Sequence, residues 1–357
     1  MTEASSKPSN PLHSLNSTTE TARAFPRIRV TAPSRQMIRA DGSIDEERRR
    51  TCLANLTALL PGGEICLPEA TRGNVARFAG TDDVRLRDFT EAMTDADTDL
   101  VLALRGGYGA SRLLREIDWT LLERSGAPFM GYSDATALQI ALYTKTRRAS
   151  WHGPTFSSFD RPSALTVEGF LKALATLDGK EEEKGFEVGF SARSVGRIER
   201  RPAPAERTAF EGRLWGGNLA MTTALVGTPW LDPEAFRGGI LFLEEVGESA
   251  YRIERMLLTL RDAGILETQR AILFGSITGA DRAVSFPGDF ALADAFDFIT
   301  SDPKMPPVLT GFPMGHGADK HALPAGCRVR LELEAEENSA AETAGERRAV
   351  LRALETP

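Results

Sequence analysis

Short apolar runs alternate along the chain with segments in which apolar side chains recur every three or four positions. Residues 27–31 (RIRVT) form the first such run, close at Ala32-Pro33-Ser34, and predict a strand ending in a loop. Ser43 and Glu46 then stand at capping-box spacing ahead of Leu53, Leu56, Leu59 and Leu60, a helical stripe that stops at Gly62-Gly63. The unit recurs. Residues 98–104 (TDLVLAL) read as a buried strand, Arg105-Gly106-Gly107-Tyr108-Gly109 as a glycine-rich turn, and residues 111–117 as the start of a helix. Residues 128–130 run into Gly131-Tyr132-Ser133-Asp134 and a helical stretch over 135–143. Strands and helices in this alternation predict a parallel sheet with helices on both faces.

A charged and then proline-punctuated stretch follows, and beyond it the pattern resumes. Strands are expected over 239–243 and 271–274, helices over 251–263 and 290–299, and a half-wet strand over 328–333, where apolar and polar residues alternate. The expected fold is α/β: an N-terminal Rossmann-like parallel-sheet domain over 26–177, a linker over 178–206, and a second mixed α/β domain over 207–335. A flexible N-terminal extension over 1–25 and a polar tail over 336–357 complete the division. The length of 357 residues suits two domains of ordinary size.

Composition narrows the function classes. With 41% hydrophobic and 26% charged residues the chain is neither disordered nor fibrous. Its 43 Lys+Arg against 50 Asp+Glu leave a formal charge of −7, with no global basic field to gather nucleic acid. No apolar run reaches the roughly 18 residues that span a bilayer, and Met1 to Ala24 has no apolar signal core, so a cytoplasmic protein without a membrane partner is expected. Cys52, Cys66 and Cys327 are few and far apart, which suits buried free thiols better than disulfides or a metal knuckle. Zinc-ligand spacing is missing too, so the expected chemistry uses no metal and no cofactor.

In an open α/β sheet ligands bind beyond the carboxyl ends of the strands, and four loops there carry chemistry. Ser133 has the strand-turn-helix setting of a nucleophile elbow, although it stands in G-Y-S-D-A, and a serine before a helix is also a common N-cap. The turn at 105–109 permits close backbone approach, so its amides could cradle an oxyanion, a phosphate, or nothing at all. His316 sits between glycines at a strand exit, where a base would be exposed, while a loop histidine is more commonly structural or solvated. His152 reads as structural. Glu244 ends an apolar strand and could orient an imidazole, with Glu245 and Glu248 as competitors that could instead pair with Arg252 or Arg255.

Taken in order, these loops resemble the LD-carboxypeptidase family of serine peptidases. The resemblance rests on Ala32-Pro33-Ser34, residues 79–82 (AGTD), residues 105–114 (RGGYGASRLL), Gly131-Tyr132-Ser133-Asp134, His152-Gly153-Pro154, residues 214–219 (LWGGNL), residues 243–248 (LEEVGE), residues 251–257 (YRIERML) and Gly315-His316-Gly317. It covers about residues 27 to 333. Two departures stand out: Glu245 where Asp is common, and the long polar N-terminal extension.

The resemblance implies a Ser-Glu-His triad of Ser133, Glu244 and His316, with an oxyanion hole from the backbone N–H groups of Asp134 and Gly107. The nucleophile falls in the first domain and its partners in the second, so the active site is expected at the domain junction. The implied reaction removes the terminal D-alanine of a murein tetrapeptide through an acyl-enzyme. Arg105 and Arg213 are candidate forks for the substrate carboxylate, though each could equally serve a structural salt bridge. Tyr108, Trp215 and Asn218 are candidate lining residues, and Trp215 could instead be core. A homodimer is the family's usual state. Alternatives are a peptidase of the microcin C immunity type, acting on an aminoacyl or acyl-sulfamoyl nucleotide, and a non-catalytic α/β module that binds an anion on the glycine turn.

Overall fold

A computed structural model describes residues 26–177, 186–195, 208–280, 286–334 and 346–357. The expected extension over 1–25 lies outside the described residues, as do parts of the expected linker and tail. The chain begins β1 (Arg27–Thr31), α1 (Glu46–Leu59), β2 (Glu64–Cys66), α2 (Asp82–Thr94), β3 (Leu100–Ala103), α3 (Trp119–Glu123), β4 (Phe129–Gly131), α4 (Ala135–Thr146), β5 (Ser150–His152) and α5 (Ala164–Leu177). It continues β6 (Glu187–Ser194), β7 (Thr208–Asn218), α6 (Leu219–Ala224), β8 (Ile240–Val246), α7 (Ala250–Asp262), β9 (Ala271–Thr278), α8 (Leu292–Thr300), β10 (Val308–Thr310), β11 (Leu323–Ala325), β12 (Arg328–Leu333) and β13 (Glu346–Ala353).

The first sheet has the order β11-β5-β4-β3-β1-β2, parallel except for β11 at its edge. Its central strands β3 and β4 are apolar and buried throughout because both faces are covered. Val101, Ala103 and Phe129 pack with Phe89 and Met93 of α2 and Leu138 of α4. Leu100, Leu102, Ile28 and Val30 pack the other way, with Cys52 and Leu56 of α1 and Phe170 of α5. The second sheet closes into a barrel, β10-β6-β13-β12-β7-β8-β9. Phe242, Leu273, Leu331 and Leu351 share one core, whereas Leu241, Leu243 and Phe274 join Ile253 and Leu257 of α7 and Phe296 of α8 in the other. The molecule is thus mixed α/β with a parallel sheet and a second sheet in a two-domain arrangement.

Several boundaries differ from the sequence reading. The expected linker contains β6, whose Val188 and Ala192 point inward while Glu187, Ser191 and Arg193 stay exposed. The expected tail supplies β13, where Ala349 and Leu351 are buried and the exposed Arg348 and Arg352 on either side of them mask the alternation. β13 pairs with both β6 and β12 and so closes the barrel. Residues 323–325, placed in the second domain, return to the first sheet as β11. Asp45, not Ser43, caps α1 by accepting the Arg48 N–H, and residues 110–112 make only a single 3₁₀ turn. Cys52 and Cys327 are buried free thiols, which burial pushes up to about 12; Cys66 is half-buried.

Candidate active site

Four strand exits converge between the two sheets. At the end of β4, Ser133 adopts a left-handed backbone, with φ of +63°, rare outside glycine and typical of a strained turn that lifts a side chain out of a sheet. The turn is crowded: a Cβ on Gly106 would lie 2.8 Å from Ser133 Cβ and 3.0 Å from its Oγ. Only glycine lets the two loops touch. Gly107 next to it has φ of +119°. No backbone acceptor among the described residues takes the N–H of Gly107 or of Asp134.

Asp134 has a role that its position after Ser133 does not disclose. Its buried Oδ2 accepts the Ser34 hydroxyl at 2.6 Å and the Ala110 N–H at 2.9 Å. One carboxyl therefore ties together the loops after β1, β3 and β4. Burial raises its pKa, opposed by those two hydrogen bonds. Sequence offers no local signal for a contact 100 residues away, although Ser34 lies in one of the family motifs.

The second sheet brings the partners. His316 Nε2 lies 3.0 Å from Ser133 Oγ, and His316 Nδ1 lies 2.7 Å from Glu244 Oε2. An ionised carboxylate only accepts, so Nδ1–H donates to Glu244 and Nε2 is left to accept from the serine hydroxyl. Glu244 is almost fully buried, and its other oxygen accepts from Asn218 Nδ2 at 3.3 Å. The Tyr132 ring packs edge-on against His316 at 5.2 Å between centroids. This arrangement can activate a hydroxyl and shuttle one proton.

Other expected residues fall differently. Glu245 accepts the N–H groups of Ala220 and Val246, both at 2.8 Å, and so fixes the start of α6; burial raises its pKa. Glu248 pairs with Arg252. Asn218, expected to line a substrate site, is buried behind Glu244, bridging it to Glu245 at 3.2 Å. Trp215 is core: it stacks on Phe236 at 4.3 Å and donates to Gln269 at 2.8 Å, because β7 turns that fully buried side chain into the core. Arg213 lies five residues before Asn218, roughly 16 Å at about 3.3 Å per residue. It is occupied by the Gly326 carbonyl, by Glu355 at 3.6 Å and by the Tyr143 ring, so it is a structural arginine.

Arg105 and Tyr108 do stand on the glycine turn. Arg105 is half-buried, donates to the Gln36 carbonyl at 3.4 Å, and is pushed below its usual range by burial and then by Arg35 and Arg48. Tyr108 is exposed, with its ring 5.8 Å from Phe78. His152 is fully buried in the first sheet, its Nδ1 2.9 Å from Gln139 Oε1.

Residues 28–153 match the LD-carboxypeptidase N-terminal domain, and residues 211–331 match the LD-carboxypeptidase C-terminal domain. The chain belongs to the LD-carboxypeptidase family. It is a serine-type carboxypeptidase, a hydrolase. A probable murein peptide carboxypeptidase of Bacillus subtilis is 31% identical over 80% of this chain and 85% of its own length. The microcin C7 self-immunity protein of Escherichia coli is 28% identical over 72% of this chain and 77% of its own. Among solved structures, the muramoyltetrapeptide carboxypeptidase from Oxalobacter formigenes superimposes with a TM-score of 0.68 at 31% identity, covering 93% of this chain and 99% of that one. No helix among the described residues is long and apolar enough to cross a membrane.

Proposed function

We propose that this family member is an L,D-carboxypeptidase that releases the terminal D-alanine of murein tetrapeptides, with Ser133 as nucleophile, His316 as base and Glu244 as its orienting acid. The observation that carries the reading is the unbroken chain from Ser133 Oγ through both nitrogens of His316 to Glu244, at 3.0 and 2.7 Å.

Serine at its ordinary pKa is a weak nucleophile. As Ser133 Oγ attacks the scissile carbonyl carbon, its proton passes to His316 Nε2. The buried Glu244 carboxylate stabilises the imidazolium and holds its tautomer. The carbonyl electrons move onto oxygen, where the N–H groups of Gly107 and Asp134 receive them; one such donor typically contributes about 2.7 to 4 kcal/mol. Collapse breaks the C–N bond, and His316 returns the proton to the departing amine. Water, deprotonated by His316, then attacks the Ser133 ester, and the shortened peptide leaves. Arg105 and Tyr108 flank the approach to Ser133 in this reading.

The test is mass spectrometry of a murein tetrapeptide incubated with the purified chain. The expected result is loss of D-alanine by the parent protein and no loss with Ser133→Ala. Undiminished hydrolysis by Ser133→Ala refutes the assignment. Cleavage of an aminoacyl-sulfamoyl nucleotide in place of the tetrapeptide would move the substrate to the microcin-immunity type, and a Ser133 inert to serine-directed probes but with retained anion binding would favour a binding module.

A further inference from the structure

A carboxypeptidase must hold the free carboxylate of the residue it releases, and Arg213 is occupied elsewhere. A cavity of about 220 Å³ lies against Tyr132, walled by Arg48, Ser157, Ser158, Thr166 and Lys320. It also meets Ala318, two residues after His316, so it adjoins the site on the histidine side. Its charge is positive. Arg48, Arg161 and Lys320 face a single carboxylate, Asp160, which already lies 3.2 Å from Arg48 and 4.0 Å from Arg161.

Lys320 has no carboxylate within salt-bridge distance among the described residues. Its Nζ donates to the Gly317 carbonyl at 2.6 Å and stands 5.4 Å from the centroid of the Tyr132 ring, while its backbone N–H donates to Thr166 Oγ1 at 3.1 Å. Burial pulls its ammonium below the ordinary lysine range, against the opposing pull of Glu244 and Asp319. A half-buried ammonium with donors to spare is an anion receptor in want of its anion.

Placement decides which anion. His316 must protonate the departing amine, which therefore lies about 3 Å from Nε2. The carboxyl carbon of that same residue is two bonds further on, about 2.5 Å away. A terminal carboxylate thus falls about 5 to 6 Å from the imidazole, comparable to the 5.2 Å between His316 and the ring of Tyr132, which walls the cavity. The volume is enough for one small residue.

We propose that this cavity is the subsite for the departing residue, with Lys320 Nζ, backed by Arg48, binding its terminal carboxylate. The assignment rests on the carboxypeptidase reading above. The test compares a tetrapeptide acid with its C-terminal amide. Lys320→Met lowers kcat/KM for the acid about 10- to 100-fold, the range for losing one hydrogen bond to a charged group, leaves the amide within about threefold, and Lys320→Arg restores most of the preference. Calorimetry on Ser133→Ala, with and without Lys320→Met, gives the same comparison without turnover. An acid-over-amide preference unchanged by Lys320→Met, or abolished by Arg105→Gln instead, overturns the subsite while leaving the reaction in place. A parent protein that releases no D-alanine, but whose Ser133→Ala form prefers the acid through Lys320, overturns the reaction and keeps the subsite.

Discussion

His152 offers a test of the electrostatics behind the site that needs no substrate. Gln139 donates its amide to the carbonyls of Gly131 at 3.1 Å and Trp151 at 2.8 Å, so its Oε1 is left to accept from His152 Nδ1–H. The other ring nitrogen has no hydrogen-bond partner among the described residues, and the ring is fully buried. Burial, with His316 close by, holds the pKa down at about 3. Unfolded, the imidazole titrates near its ordinary value of about 6.5. Between these two values the unfolded chain binds a proton that the folded chain refuses, so the stability contribution is complete above pH 6.5 and is lost as pH falls toward 3. From pH 7.5 to pH 5.0 the loss is about 1.5 units at about 1.36 kcal/mol each, or about 2 kcal/mol. His152→Asn keeps a donor toward Gln139 but cannot titrate. Urea unfolding at the two pH values should therefore show the parent losing about 2 kcal/mol more than the variant. Asp88, Asp134 and Glu245, whose pKa values burial raises, act in the opposite sense but are common to both proteins and cancel in the difference. Pairs of curves that shift alike, within about 0.5 kcal/mol, would show that His152 is hydrated or charged in the folded chain.

Further expectations follow from the same contacts. Glu244→Gln preserves shape but removes the charge beside His316 Nδ1, and kcat for tetrapeptide hydrolysis should fall on the order of 10³ to 10⁴-fold with little change in unfolding midpoint; a fall under tenfold would show that Glu244 does not orient the base. Gly106→Ala puts a Cβ against Ser133 and should cost about 10²-fold in kcat with the fold intact by circular dichroism. Trp215→Phe removes the bond to Gln269 and should lower stability by about 1 to 3 kcal/mol while KM stays unchanged; a tenfold rise in KM would return Trp215 to the substrate site. Deleting residues 346–357 removes β13 from between β6 and β12, and the shortened chain should fail to unfold cooperatively on heating.

Half of the first sheet was legible in the sequence, β1, β3 and β4, whereas the three-residue strands β2, β5 and β11 went unread. β3 and β4 are buried apolar runs, and the turn residues Ala32-Pro33-Ser34 mark the end of β1, which falls on residues 27–31 as read. The barrel was harder. β6 and β13 bury alternate residues only, and their outward positions carry Glu187, Arg193, Arg348 and Arg352, which dilute the apolar signal to that of a charged linker and a polar tail. Ser133, Glu244 and His316 were each ambiguous by spacing alone, and it was the ordered set of family motifs that singled them out. Lys320 carried no motif. What distinguishes it is a cavity wall and a missing carboxylate, neither of which exists until residues 48, 132 and 320 meet.

The junction between the two sheets is held by the same bonds that align the reacting groups. Ser133 begins the turn into α4, and three residues later Thr136 Oγ1 accepts the backbone N–H of Asn218 at 3.1 Å, at the end of β7. Asn218 Nδ2 reaches Glu244 on β8, Glu244 reaches His316, and His316 reaches back to Ser133. The path is a closed ring crossing the junction twice, and Thr136, Asn218 and Glu244 in it are buried. Because those polar groups have little water to fall back on, sliding one sheet against the other by even 1 Å would leave several of them unpaired together, at about 1 to 3 kcal/mol each. The arrangement therefore favours a single relative placement of the two halves, the one in which the Ser133 hydroxyl already lies against His316 Nε2. The turn proposed to receive the oxyanion is tied to the same ring, since the carboxyl of Asp134 fixes the loops that carry Gly107 and Ser34. Preorganisation here is a property of the junction as much as of the proposed triad, and substitutions at Thr136 or Asn218 should act on turnover through the position of Glu244 rather than through contact with the substrate.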